Sequence, residues 1–323
     1  MAEYWNGSTW TIQTTPSPVG ADQLSLAGVS CISPASCTAV GSYTEGFGHA
    51  STTFPLAEYW NGSTWAIQAT PSPSSAVDSG LSAVSCTSAT SCTAVGSYRS
   101  SAAHPLPTLT LAEYWNGSTW TIQSTPALSA YSSELNAVSC TAPDRCTAVG
   151  EKVFKRRGTD RTLAERWNGT EWGAQQTRGT SGPTVGALYG VSCASNTSCT
   201  AVGDVASDSG TAVTLADSWN GSTWAVQATP NPSGALRSFL GGISCTSSTN
   251  CTAVGAYTKA YPFVAPIAEH LYDGTWRGQT TATPASGKGL VGVSCPLASS
   301  TCTAVGNYVG ATISDDQTLA EQN

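Results

Sequence analysis

Apolar and polar positions alternate in short runs along the whole chain, and no segment keeps the three-to-four-residue spacing of a helix face. The runs are rich in Val, Ile, Thr, Tyr and Trp and are cut by clusters of Gly, Pro and Ser, which predicts short β-strands. In the first complete set they fall at Leu26 to Cys31 (strand A), Cys37 to Tyr43 (B), Leu56 to Trp60 (C) and Thr64 to Ala69 (D). Between C and D stands Asn61-Gly62, a hairpin signal, because both residues accept positive φ. Strand D runs into Thr70-Pro71-Ser72-Pro73, where proline ends the ladder.

This set recurs. The phrase Ala-Glu-Tyr-Trp-Asn-Gly-Ser-Thr-Trp opens at Ala2, Ala57 and Ala112 and returns in looser form at Ala164, Ala216 and Ala268. A second phrase, Val-Ser-Cys followed by Cys-Thr-Ala-Val-Gly, occurs six times, its first cysteines 50 to 55 residues apart. Such a period fits one four-stranded propeller blade, and radial repetition leaves few exposed sheet edges. The expected fold is therefore an all-β, six-bladed β-propeller over residues 1–323. Its blades span about 24–70, 81–125, 135–177, 188–229, 240–281 and 290–323, the last completed and the ring closed by the hairpin at 2–14. One segment competes for a place: Thr318-Leu319-Ala320-Glu321 is a further copy of strand C, which either replaces or flanks the N-terminal strand.

Composition narrows the class. Only 10% of the 323 residues are charged, too few for the outer faces of a helical bundle. The net charge of −7 argues against nucleic acid, which needs clustered Lys and Arg. No stretch reaches the ~18 apolar residues of a membrane span, so membrane insertion is not expected.

Twelve cysteines form six close pairs, each at the end of strand A and the start of strand B: Cys31-Cys37, Cys86-Cys92, Cys140-Cys146, Cys193-Cys199, Cys245-Cys251 and Cys295-Cys302. Cross-strand bridging within a hairpin is geometrically reasonable, and six disulfides imply an oxidising, extracellular compartment. Zinc is the competing reading, but tetrahedral sites need four ligands and no histidine lies near these pairs. No metal or cofactor is expected. A signal peptide is absent from the start of the chain, so secretion would require that one was removed.

Five copies carry Trp-Asn-Gly-(Ser/Thr)-(Thr/Glu)-Trp, and the sixth reads Leu271-Tyr272-Asp273-Gly274-Thr275-Trp276. This hairpin resembles the Asp-box of sialidase-type propellers, which joins strands C and D and ends in Gly-x-Thr-Trp. The resemblance implies a structural staple away from any catalytic face. Stacking of an exposed Trp on a sugar ring is the alternative.

Propeller topology puts the A–B and C–D turns on one face, here nearly constant, and the variable B–C and D–A loops on the other, where specificity is usually built. A tyrosine ends strand B at Tyr43, Tyr98, Tyr257 and Tyr308. An acid stands near the start of strand C as Glu3, Glu58, Glu113, Glu165, Asp217 and Glu269, with Glu321 in the spare copy. Two readings stand for Glu58, Glu113 and Glu269: they join the tyrosines in holding a ligand, or they bond backbone amides inside the frame. Fucose-type lectin propellers have a similar Glu and aromatic set per blade but add an Arg, which no repeated position supplies here. The third copy departs from the rest. Its B–C loop contains Lys152, Lys155, Arg156, Arg157 and Arg161, either a solvated loop or an anion- and partner-binding patch.

Catalysis is not expected. Strand A offers Gly28, Val29, Ser30 and their equivalents, none capable of acid–base work at neutral pH, and His49, His104 and His270 occupy unrelated places. The whole chain resembles the Cys-containing Trp-Asn-Gly propeller repeats of secreted actinobacterial proteins, which implies a propeller and an extracellular location but no ligand. The reading that results is a secreted, monomeric, non-enzymatic recognition propeller, binding glycans multivalently at the variable loops. Its rivals are a protein-docking scaffold within a larger secreted or cell-wall protein, and a selected or consensus-like repeat chain with no native ligand.

Overall fold

A computed structural model describes residues 2–46, 48, 51–102, 106–154, 161–177, 185–206, 211–260, 263–281, 287–296, 301–309 and 316–322. All regular structure of any length is β. The first strands, β1 (Ala2–Trp5) and β2 (Trp10–Gln13), form a two-stranded antiparallel sheet. Then β3 (Ala21–Ser33), β4 (Ser36–Glu45), β5 (Thr52–Trp60) and β6 (Trp65–Gln68) make a four-stranded sheet in chain order. Strands β7 (Ala76–Ser88), β8 (Ser91–Ser100), β9 (Thr108–Trp115) and β10 (Trp120–Gln123) repeat it. So do β11 (Ser132–Ala142), β12 (Arg145–Val153), β13 (Arg161–Trp167) and β14 (Trp172–Gln175).

The next two repeats share one eight-stranded sheet: β15 (Val185–Ser195), β16 (Ser198–Ala206), β17 (Ala212–Trp219), β18 (Trp224–Gln227), β19 (Arg237–Ser247), β20 (Asn250–Ala260), β21 (Phe263–Tyr272) and β22 (Thr275–Gln279). A single parallel contact, Ala212 opposite Arg237, joins its halves. Last come β23 (Gly287–Ser294), β24 (Thr303–Val309) and β25 (Asp316–Gln322), a sheet of three strands.

This corrects the six-bladed expectation. Counted as sheets of at least four strands, the blades among the described residues number four. Two repeats merge through β17 and β19, no fourth strand follows β25, and the N-terminal hairpin is a separate sheet rather than the closure of the last one. The competition for the last strand C place is decided too. Ala304 pairs with Glu321 just as Ala39 pairs with Glu58 and Ala94 with Glu113, so the C-terminal copy fills it.

The chain divides into two compact units, Met1–Ala148 with Glu165–Ala174 and Val149–Ala164 with Gln175–Asn323. Each has its core between successive repeats. In the first, Val40 and Ala57 pack against Leu81, Val84, Ala94, Leu111 and Trp120. In the second, Val202 and Ala216 meet Leu240, Ile243, Ala253, Ile267, Leu271 and Trp276. Burying one Leu or Val side chain contributes roughly 1.5–3 kcal/mol, so these contacts dominate the stability of a chain with little helix propensity to draw on.

Strand A is longer than expected and carries a β-bulge, between Leu26 and Gly28 in the first sheet and at matching places on β7, β15, β19 and β23. The bulge explains the glycine of Ala-Val-Gly. A side chain at Gly41 or Gly96 would collide with the carbonyl oxygen of Ser25 or Gly80 on the bulged strand. Strand C is also longer than expected, reading through Pro55. Pairing with β6 begins only at Ala57, and the Pro55 carbonyl takes the Thr70 hydroxyl at 2.8 Å, so the missing N–H faces an edge that makes no ladder bond.

Candidate functional site

Three side-chain contacts recur from one repeat to the next and define what is frame. The second Trp of each hairpin donates its indole N–H to the glutamine of the preceding strand D. The distances are 2.8 Å for Trp65 to Gln13, 3.0 Å for Trp120 to Gln68 and 2.8 Å for Trp172 to Gln123, Trp224 to Gln175 and Trp276 to Gln227. The serine of Val-Ser-Cys accepts the amide of the next repeat's first cysteine, 3.0 Å for Ser30, Ser85, Ser192 and Ser244. All six disulfides are formed as paired in the sequence, each across the β-hairpin of strands A and B.

The hairpin tips belong to the same frame. The Asn61 side-chain oxygen accepts from Ser63 N at 2.9 Å, Ser63 Oγ at 2.8 Å and Thr64 N at 3.0 Å, while Gly62 sits at φ +94°. Trp60 donates to the Pro34 carbonyl at 3.1 Å and lies 5.7 Å from Trp65, ring to ring. Both indoles are thus tied into the fold. The sixth hairpin keeps the turn with Asp273 at φ +49° and Gly274 at φ +73°.

Glu58, Glu113, Glu165, Asp217 and Glu269 are all fully buried. Each stands on strand C opposite the alanine of Ala-Val-Gly where the register is given, as Ala94 opposite Glu113 and Ala253 opposite Glu269. Burial pushes the Glu58 carboxyl up to about 7 and those of Glu113, Glu165 and Glu269 up to about 8, so at neutral pH the last three are held largely protonated and Glu58 about half so. The Thr214 hydroxyl reaches Glu269 at 3.4 Å, and that of Thr110 acts on Glu165 in the same lowering sense. At the corresponding place before Glu113 stands Pro55, which has no hydroxyl to offer. In the folded chain these carboxyls present no surface to a ligand. Glu3 and Glu321 are half-buried.

The described repeat tyrosines are each packed against neighbours in their own unit. Tyr43 is half-buried and stacked on Phe54, centroids 5.4 Å apart, with its phenol pKa raised first by burial and then by Glu45. Tyr98 packs on the core of the first unit. Tyr257 packs on that of the second, with the Lys259 ammonium 5.8 Å from its ring centre. Tyr308 lies on β24, its side chain outside the described residues. Of the basic patch, Lys152 on β12 and Arg161 on β13 are placed; Lys155, Arg156 and Arg157 fall outside the described residues, as do His49 and His104. His270 bonds Thr252 at 3.2 Å and stacks on Tyr272.

The group with open, chemically mixed surface is one the sequence reading passed over. It lies within the second unit. Tyr189 occupies the bulge of β15, between Leu188 and Gly190, and there its ring leaves the sheet. It meets Phe239 of β19 edge to face, centroids 6.2 Å apart and planes at 81°. Both rings remain open to solvent, 37% for Tyr189 and 36% for Phe239. The Asp204 carboxyl on β16 lies near enough to the Tyr189 phenol for each to shift the other's pKa. Burial is the main cause holding the phenol far above its usual range, and Asp204 and then Glu151 add to it. Burial likewise raises Asp204, against the Tyr189 hydrogen bond and the charge of Arg237. Arg237, exposed on β19, acts on Asp204.

Strand A thus carries a polar aromatic at Tyr189, beyond the Gly28, Val29 and Ser30 pattern from which it was read. The signal was available. The residue after Ala-Val-Gly reads Ser42, Ser97, Glu151, Asp204, Ala256 and Asn307 in the six copies, a free position inside a fixed phrase. Tyr189 likewise stands where other copies have Ala27, Ser82, Asn136, Gly241 and Val291. Among the described residues no group of three or more His, Cys, Asp or Glu is placed to hold a metal ion. No described helix is long and apolar enough to cross a membrane.

No family model matches the chain, and no curated protein matches it. Solved structures do. It is similar to a protein of unknown function from Dyadobacter fermentans, at 10% identity and a TM-score of 0.56, covering 92% of this chain and 94% of that one. It is similar to YjhT at 9% identity and a TM-score of 0.53, covering 93% and 99%. It is similar to the fucose-specific lectin from Aleuria aurantia at 13% identity and a TM-score of 0.51, covering 91% and 90%. The fold is a propeller. At these identities the likeness shows the fold alone, and function has to be argued from the site.

Proposed function

We propose that the protein is a secreted, non-enzymatic recognition propeller whose ligand is carbohydrate, bound in the second unit by Tyr189, Phe239 and Asp204. The observation that carries this is an edge-to-face aromatic pair, both rings open, beside a carboxyl group. Aromatic faces cover the C–H faces of pyranose rings, and a carboxylate accepts their hydroxyl protons. The similar lectin from Aleuria aurantia is named for fucose; that supports carbohydrate as a class and says nothing of which sugar this chain takes. Six disulfides support residence in an oxidising, extracellular compartment.

Binding is favoured over hydrolysis by the state of the phenol. Burial and two neighbouring carboxylates keep its proton on, so at neutral pH Tyr189 is a hydrogen-bond donor and not a nucleophile. The open pair also occurs once among the described residues, while the repeated tyrosines Tyr43, Tyr98 and Tyr257 are half-buried. The reading is thus of one principal site, rather than equal sites in every repeat.

A glycan array probed with the full chain tests it. Binding that Tyr189→Ala and Phe239→Ala each lower at least about tenfold, as loss of one stacking face implies, supports the reading; silence across the array, or binding that both variants retain, overturns it.

A further inference from the structure

The first and last repeats each leave open a surface that the repeats between them cover. The valine of Val-Ser-Cys is buried in one core with the valine of Ala-Val-Gly from the repeat before it, as Val84 is with Val40 and Ile243 with Val202. Val84, Val138, Val191 and Ile243 are at most 9% exposed, whereas Val29 of β3, at the same place, is 62% exposed. Val40, Val95, Val149, Val202 and Val254 are at most 1% exposed, whereas Val305 of β24 is 38% exposed. One open valine belongs to the first unit and the other to the second.

The polar contacts of the frame are left open at the same two places. Trp65, Trp120, Trp172, Trp224 and Trp276 each donate to the glutamine of the repeat before. Among the described residues Trp10, 39% exposed, reaches no glutamine, and Gln279 of β22 receives no tryptophan. Ser294 of β23 lies exposed where Ser30, Ser85, Ser192 and Ser244 accept the cysteine amide of the next strand A. The open groups match one to one: valine to valine, indole N–H to glutamine, cysteine amide to serine hydroxyl.

We propose that copies of this chain associate head to tail, the face of β1 to β3 in one copy against β23 and β24 of another. Val29 covers Val305, the Cys31 amide donates to the Ser294 hydroxyl and the Trp10 indole donates to Gln279. Both β1 and β25 are copies of strand C, so the incoming hairpin takes the place beside β24 that β25 holds in the single chain. The hairpin brings β2 with it and completes a four-stranded sheet, where β25 leaves one of three strands with an open edge. The repeats themselves name the occupant, because these three contacts already join one repeat to the next within the chain. The two faces differ, so the contact is heterologous and every added copy leaves a further end open. Tyr189 and Phe239 take no part in it, and the carbohydrate reading stands or falls separately.

The test is sedimentation velocity of the full chain at concentrations up to about 100 μM, where a micromolar contact is well populated. The parent chain should associate as concentration rises. Val29→Asp and Val305→Asp each place a carboxylate in the apolar contact and should weaken association at least about tenfold. Both valines are exposed in the single chain, so thermal unfolding of either variant should match the parent's and checks that it is folded. Mixed in equal amounts, the two variants should form dimer and nothing larger, since one keeps the last face and the other keeps the first. Trp10→Phe, which removes one N–H, should weaken association about fivefold. A parent chain that stays monomeric throughout overturns the proposal, as does association that either aspartate variant retains in full. Loss in both variants with no dimer from their mixture marks a symmetric contact and overturns it too. Hydrogen exchange of β25 should quicken in the associated state; unchanged protection overturns the exchange of strands.

Discussion

A tryptophan indole in this chain is worth more for its one N–H than for its area alone. Trp65 half-buries its ring and donates to Gln13, and the same bond is made by the buried Trp120, Trp172, Trp224 and Trp276. Removing the donor leaves a glutamine oxygen without its partner. Trp65→Phe should therefore lower unfolding free energy by about 1 kcal/mol in chemical denaturation. The exposed Trp10, changed to Phe, should cost less than about 0.5 kcal/mol. The first Trp of each hairpin and the Asn-Gly tip were legible as a staple from their fixed spacing. The bond to glutamine was not, because its acceptor lies about fifty residues earlier, in the hairpin of the preceding repeat. The serine of Val-Ser-Cys was hidden likewise: its partner is an amide, which every residue but proline carries.

At the scale of the strand, the bulge is the element that sequence patterning missed. Counting Leu26 to Cys31 as strand A treated its alternation as unbroken, whereas the extra residue between Leu26 and Gly28 shifts the register. Two consequences follow. It brings the strand A carbonyl against the facing strand B, so that only glycine fits after Ala-Val; and it turns the side chain at the extra residue out of the sheet, which is how Tyr189 reaches solvent. Gly96→Ala should cost at least about 2 kcal/mol by denaturant titration, because the Gly80 carbonyl it would strike is fixed in a ladder. Gly278→Ala, where an added carbon meets nothing within 4 Å, should change stability by less than about 0.5 kcal/mol. Strand identity, hairpin position and disulfide pairing were legible, since each rests on local spacing. Sheet boundaries were not. Whether two repeats share a sheet depends on one contact, Ala212 with Arg237, that no periodicity encodes.

For the molecule as a whole, the buried carboxyls set how stability responds to acid. Folding raises the pKa of Glu58 to about 7 and of Glu113, Glu165 and Glu269 to about 8 from a usual 4.5, so the folded state binds protons the unfolded state has released. Their contribution is full below pH 4.5 and is lost as pH rises through about 8. Thermal unfolding should fall in midpoint between pH 5 and pH 9, and Glu113→Gln should flatten that fall while matching the parent chain near pH 5. A midpoint that rises with pH over this range would contradict the burial of these groups. The same series shows how far the site could be read in advance. Glu58, Glu113 and Glu269 drew notice because they repeat, and repetition in this chain marks the frame; Asp204 and Tyr189 matter because they do not.

The recurring contacts also have a direction in time. In the tryptophan–glutamine and cysteine–serine bonds the group that reaches is the later one: Trp65 back to Gln13, Trp276 back to Gln227, the Cys86 amide back to Ser30 and that of Cys295 back to Ser244. A ribosome makes the acceptors first. Each repeat thus leaves behind a glutamine and a serine oxygen that its successor, on emerging, can close upon, and nascent chain can be set in place in the order of its synthesis.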